Sequence, residues 1–90
     1  MFQLAHSNLF LKDAKLCKKR GYDMELIETV FYHLVKTGGV PAKNKPHKLI
    51  GNYNGYWECH IKPDWLLIWK VDNTLKIITL IRTGSHADLF

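Results

Sequence analysis

In the stretch WECHIKPDWLLIWKVDNTLKIITLIR, residues 57–82, the spacing of apolar side chains decides the fold. Tyr56, Glu58 and His60 alternate with Trp57, Cys59 and Ile61, the period of two that belongs to a half-buried strand. Lys62-Pro63-Asp64 reads as a tight turn. Trp65 to Val71 is nearly all apolar, as a central strand requires, and Asp72-Asn73 offers the left-handed conformations of a two-residue hairpin loop. A further strand is predicted from Thr74 to about Arg82.

Register follows from those loops. With Asp72-Asn73 as a two-residue loop, Val71 faces Thr74, and Trp65, Leu67 and Trp69 share a face with Lys76, Ile78, Leu80 and Arg82. With Pro63-Asp64 as another, His60 opposes Leu67. This places His60, Trp65 and Arg82 on one open face. Cys59, Ile61, Leu66, Ile68, Ile77 and Ile81 fall on the other, which is expected to be the floor for helices. A bulge at Lys62 to Asp64 would reverse the assignment of His60.

Upstream, the period changes. Residues 2 to 6 are a short extended segment, after which Ser7 or Asn8 can cap a helix running to Arg20. Leu9, Phe10, Ala14, Leu16 and Cys17 form its apolar side, Lys12, Lys15, Lys18 and Lys19 stay outside, and Gly21 stops it. A second helix starts after Asp23, carries Met24, Ile27, Val30, Phe31 and Leu34 at spacings of three and four, and ends at Gly38-Gly39. The short link between them predicts an antiparallel pair. The fold class is therefore α+β, in the order β-α-α-β-β-β, with two helices on one face of a mainly antiparallel sheet.

Ninety residues form a single domain, 1–90, because two cores of half that size would not outweigh chain entropy. An apolar content of 47%, with three Trp, four Tyr and four Phe, is enough for that one core. The net charge of +5 favours polyanions or an acidic protein partner. Cys17 and Cys59 are isolated, which signals neither a disulfide framework nor a structural zinc site. No window is long and apolar enough for a membrane span, so a cytoplasmic protein is expected.

The chemistry-bearing residues gather in the second half. RNA is cleaved without metal when one group deprotonates its 2′-hydroxyl and another protonates the leaving 5′-oxygen, while a cation steadies the phosphate. Histidine can serve as acid or base, and arginine offers a fork of donors to phosphate oxygens. His60, His86 and Arg82 are chemically sufficient for that reaction. Taken singly, each has a plainer explanation: a strand His as a hydrogen-bonded structural residue, Asp64 as a turn acid, the lysine row as a solvated face. A metal site from Cys59, His60 and His86 is disfavoured because neighbouring strand residues point to opposite faces. Ser85, His86 and Asp88 lack the glycine-rich elbow of a hydrolase.

The segments HKLIGNYNGYWECHIKPDWLLIWK (47–70) and IRTGSHADLF (81–90) resemble the C-terminal half of YafQ-type toxins of the RelE/ParE superfamily. The pattern comprises His-x-Leu-x-Gly, a strand His, Pro-Asp-Trp and Arg-x-Gly-[Ser/Thr]-His-x-x-Leu-Phe. SNLFLKDAKLCKKRGYDM (7–24) is similar too, so the resemblance spans nearly the whole chain. It implies a RelE-like fold and an mRNA interferase acting in the ribosomal A site, without a cofactor or metal. It also implies contacts to 16S rRNA, a cognate antitoxin, and operator DNA reached only through the antitoxin complex. His47, His60, Asp64, Arg82 and His86 match the family's catalytic positions, with His86 expected as acid, His60 or Asp64 as base, Arg82 on the phosphate and His47 assisting. Trp65 and Phe90 match supporting aromatics, and Lys48 and Lys62 are expected to support RNA binding. Trp57 departs from the pattern where relatives often carry Arg, and Trp69 where many carry Tyr. Two other readings share the fold: a ParE-like module that inhibits gyrase by binding, and a catalytically inactive domain that binds antitoxin or operator.

Overall fold

The computed structural model describes residues 1–90. Strand β1 (Gln3–His6) is followed by helices α1 (Asn8–Lys19) and α2 (Met24–Thr37), a two-residue strand β2 (His47–Lys48), strands β3 (Trp57–Lys62), β4 (Trp65–Asp72) and β5 (Ile77–Gly84), and a terminal turn of helix, α3 (His86–Leu89). The sheet order is β1-β5-β4-β3-β2. All neighbouring strands are antiparallel except β1 and β5, which run parallel. No helix is long and apolar enough to cross a membrane.

The helix ends follow from the residues predicted to make them. Ser7 caps α1 by accepting from the Phe10 N–H, and Asp23 caps α2 by accepting from Glu25. Gly38 ends α2 at φ +80, and a Cβ there would lie 2.4 Å from the Phe2 ring, so both conformation and space require glycine. The Ser7 hydroxyl also donates to the Ile81 carbonyl at 2.7 Å, joining the start of α1 to β5.

The helix-covered face holds the main core. Phe10, Cys17, Ile27, Val30 and Leu34 descend from the helices onto Cys59, Trp65, Leu67, Trp69, Ile78 and Leu80. The opposite face has a smaller core of Leu66, Ile68 and Leu89, flanked by Leu49, Tyr53, Tyr56 and Ile81. That second cluster explains why β4 reads as unbroken apolar sequence: both of its faces are buried.

Three expectations are corrected. The loop after β4 has four residues, Asn73 to Lys76, instead of the two of Asp72-Asn73. The Asp72 side chain closes it by accepting from the Thr74 and Leu75 N–H groups, Lys76 takes φ 56, and β5 begins at Ile77 rather than Thr74. The assignment of β4 to the two faces is inverted: Trp65, Leu67 and Trp69 lie under the helices, and Leu66 and Ile68 lie opposite. Two tryptophans carry more apolar surface than Leu66 and Ile68, so burying them beneath the larger layer is favoured. Pro63-Asp64 is indeed a two-residue loop, but a bulge between His60 and Lys62 sets His60 against Leu66 instead of Leu67. The two shifts offset each other. His60 remains on the face away from the helices, and Cys59 and Ile61 remain beneath them.

Candidate active site

The open face is ordered by register. One cross-strand row runs His47, Glu58, Ile68, Arg82, and the next runs His60, Leu66, Gly84. Rows on one face are two residues apart, about 6.6 Å along the strands. Five sequence-predicted residues therefore meet at this surface: His47, His60 and Arg82 from the strands, with Asp64 and His86 at its rim.

Asp64, in the β3–β4 turn, reaches the start of α3. Its Oδ1 accepts from the His86 backbone N–H at 2.9 Å and from the ring Nδ1 at 2.6 Å. A carboxylate oxygen of this kind only accepts, so Nδ1 carries the proton and Nε2 is left facing outward. The two His86 bonds hold the Asp64 carboxyl below the usual carboxylate range. The His60 ring centre lies 5.9 Å from that of His86. Its Nδ1 is 3.3 Å from the Pro63 carbonyl, which again assigns the proton to Nδ1 and leaves Nε2 as an acceptor.

Arg82 sits at a second bulge, where Ile81 is the extra residue between the Ile68–Arg82 and Trp69–Leu80 pairs. Its Nε and Nη2 each donate to the Asp13 carboxylate of α1 at 2.9 Å, which leaves Nη1 for another acceptor. Asp13 first, and then the Tyr53 hydroxyl, hold the guanidinium protonated far above its ordinary range. Asp13 also accepts from the Thr83 N–H at 3.2 Å, so one nearly buried carboxylate fixes both the arginine and its strand.

His47 places Nε2 3.3 Å from Glu58 Oε1 and Nδ1 3.3 Å from the Lys45 carbonyl. Glu58 is 4% exposed, and its Oε2 has no hydrogen-bond partner. A buried carboxylate oxygen left unpaired is costly, and such groups concentrate where chemistry is done. Glu58 was missed in the sequence as a site residue. The signal was available, since it stands two positions before His60 on the same strand face.

The aromatic and lysine expectations divide. Phe90 is 65% exposed and sets its edge against Tyr53 at 5.7 Å, beside the Arg82 guanidinium. Trp65 does not share the open face with His60 and Arg82 as expected. It is buried beneath the helices, edge-on to Tyr22 at 4.9 Å, and its Nε1–H donates to Thr83 Oγ1, which donates in turn to the Leu66 carbonyl. Trp65 therefore braces the strand that carries Arg82. Lys48 lies over the Trp57 ring at 5.7 Å, and Lys62 is exposed at the bulge beside Pro63. Trp57 packs toward the helix-side core, stacked on Trp69 at 6.4 Å.

Beyond the predicted set, Arg20 at the end of α1 grips Asp88 with Nη1 to Oδ2 at 2.6 Å and Nη2 to Oδ1 at 3.2 Å. Asp88 Oδ2 also accepts from the Ser85 N–H, and the Ser85 hydroxyl accepts from the Asp88 N–H, a capping box around His86. Arg20 foremost, then Ser85, draw the Asp88 carboxyl down to about 2. A Cβ on Gly84 would fall 2.9 Å from Asp88 Oδ2, so glycine is needed for this approach. The thiols differ in kind: burial pushes Cys59 up to about 12 and raises Cys17, so neither is poised as a nucleophile. No three His, Cys, Asp or Glu side chains converge as a metal cage.

Comparison with known proteins assigns the chain to a family. Residues 2–90 match the family described as the bacterial toxin of type II toxin-antitoxin systems, YafQ. The chain is 40% identical over 88 residues to the mRNA interferase toxin YafQ of Escherichia coli K12, covering 97% of this chain and 94% of that protein. It superposes on YafQ in the crystal structure of the E. coli DinJ-YafQ complex with a TM-score of 0.89 at 36% identity, covering 100% of this chain and 99% of the other. It matches a metal-bound toxin from Helicobacter pylori equally well, with a TM-score of 0.89, 36% identity and full coverage of both chains. The chain belongs to the YafQ family of type II toxins.

Proposed function

We propose that the protein is an mRNA interferase, an endoribonuclease that cuts mRNA in the ribosomal A site by acid–base catalysis without a metal. The observation that carries this reading is the His86–Asp64 pair set 5.9 Å, ring to ring, from His60 on a basic chain. His60 Nε2 accepts the 2′-hydroxyl proton, the 2′-oxygen attacks the adjacent phosphorus, and protonated His86 Nε2 donates to the departing 5′-oxygen. The products are a 2′,3′-cyclic phosphate and a 5′-hydroxyl. Asp64 orients His86, since its Oδ1 already receives two bonds from that residue. Arg82 Nη1 steadies the charge on the phosphate, Phe90 offers an exposed stacking surface, and the His47–Glu58 pair assists at the far end of the row. Lys48 and Lys62 add charge for the RNA backbone.

The partner in this reading is an antitoxin with an acidic segment suited to the +5 chain, as the E. coli relative assembles with DinJ. Operator DNA is reached only through that complex. Contacts to 16S rRNA follow from action in the A site. The decisive experiment maps mRNA 5′ ends after a brief pulse of expression, and repeats cleavage in vitro with and without ribosomes. Cuts at fixed codon positions that need ribosomes support the reading, and translation unaffected by soluble folded protein overturns it. At constant magnesium, ribosome-dependent cleavage by toxin stripped of transition metals beforehand supports the metal-free step, whereas activity that returns only when zinc, copper or nickel is added back to the toxin would refute it.

A further inference from the structure

A cleft of about 440 Å3 opens at the edge of β3 beyond the short strand β2, between α2 and the turn Ala42–Asn44. Its apolar lining is Leu26, Val30 and Ile61, and its basic groups are Lys43, Lys45 and Lys62, with His33 on the α2 side. No acidic residue lines it. Its volume lies within the range of about 300–1,000 Å3 found for small-ligand sites. His60 belongs to both the cleft and the proposed reaction centre.

The wall that faces α2 is tied to the catalytic histidines. Asn44 Nδ2 donates to the His60 carbonyl at 2.9 Å, and the Lys45 carbonyl lies 3.3 Å from His47 Nδ1. Asn44 Oδ1 makes no hydrogen bond within the chain, so its acceptor is available to a ligand. An apolar patch with a cationic border and one free amide acceptor suits a nucleotide better than a peptide. The patch takes the flat face of a base, and the lysines take its phosphates.

We propose that this cleft is a nucleotide subsite, holding a residue of the substrate strand where that strand passes over the edge of β3 at His60, with the base against Leu26 and Ile61 and the phosphate against Lys43, Lys45 and Lys62. The inference rests on the RNA-cleaving function proposed above, because continuity through His60 is what assigns the cleft to the same strand. Asn44 Oδ1 then favours bases that present an exocyclic amine, adenine, cytosine and guanine, over uracil, which has none.

The test is amide chemical-shift mapping of the His86→Ala protein titrated with AMP, CMP, UMP and inorganic phosphate. Saturating shifts at Thr29, His33, Asn44 and Lys45 are expected in the millimolar range, stronger for AMP and CMP than for UMP. Thr29→Trp, which fills the cleft from an exposed helix position, should abolish them, and Lys43→Glu should weaken binding roughly tenfold, with a shallower salt dependence. Equal response to phosphate alone would reduce the cleft to an anion site, and absence of shifts would overturn the proposal. Loss of binding to the antitoxin in these two variants, with the nucleotide response intact, would assign the cleft to a protein and equally overturn it. Because the mapping uses a variant lacking His86, a failure to find cleavage by the native chain leaves the nucleotide response readable, and the two claims fail separately.

Discussion

The two faces of the sheet are built on opposite rules. Beneath the helices the strands turn mostly apolar side chains inward, and of the two buried tryptophan N–H groups there, Trp65 Nε1 is satisfied by Thr83 while Trp69 Nε1 has no partner. On the open face, a small apolar patch of Leu66 and Ile68 is framed by His47, Glu58, His60 and Arg82, and a buried carboxylate oxygen there is left without a partner. The first face maximises burial; the second gives up some stability to hold charges near one another. That contrast is what an active surface on a 90-residue chain requires, because a single core must support both.

The contrast can be broken from either side. The largest effect is expected from His86→Ala, which should lower the cleavage rate by about 100- to 10,000-fold, the usual value of a general acid. Its thermal midpoint should match the parent, because the side chain is 55% exposed. Leu67→Ala should do the reverse, with a loss of about 2–5 kcal/mol in urea unfolding from a fully buried site and native cleavage per folded molecule. Asp13→Ala crosses between the faces. It leaves the Arg82 guanidinium and the Thr83 N–H unpaired, so about 2–4 kcal/mol of stability and most activity should go together, read by denaturation and cleavage on one sample.

Smaller effects sharpen the picture. Glu58→Gln should change stability by less than about 1 kcal/mol while lowering activity, since it removes charge without volume. Unchanged cleavage would make Glu58 purely structural. Arg20→Ala should cost little stability, because the pair is exposed and screened by solvent, yet slow the reaction by freeing the turn that carries His86. The Asp88 carboxyl is depressed to about 2, so its contribution is fully present above the unfolded carboxylate pKa near ~3.9 and is lost as pH falls toward 2. Acid unfolding of Arg20→Ala and the parent should therefore converge in that window and differ above it.

Much of this was legible in the residues. Periodicity found both long helices and the three long strands, and capping chemistry found Ser7, Asp23, Gly21 and Gly38 at the helix ends. Local chemistry decides those features. The facing of β4 was not legible, because an unbroken apolar run carries no period, and two bulges plus a four-residue loop set its register. His60 was placed on the correct face only because two errors offset each other. Glu58 escaped because an acid on a strand looks solvated until the burial of its neighbours is known. Arg20 and Asp88 are 68 residues apart, a distance no local pattern bridges.

The parallel pairing of β1 with β5 has a consequence for when the candidate site is completed. The first strand of the chain waits for partners at Ile77 to Leu80, and Ser7 for the carbonyl of Ile81, 74 residues later. Contacts of such separation form late in folding, after the costly closure of a long loop. During synthesis, Arg82, His86 and Phe90 emerge last. A chain interrupted anywhere before Ile77 has neither its closing strand nor the His86–Asp64 pair, so the candidate site is incomplete until the last residues have been added.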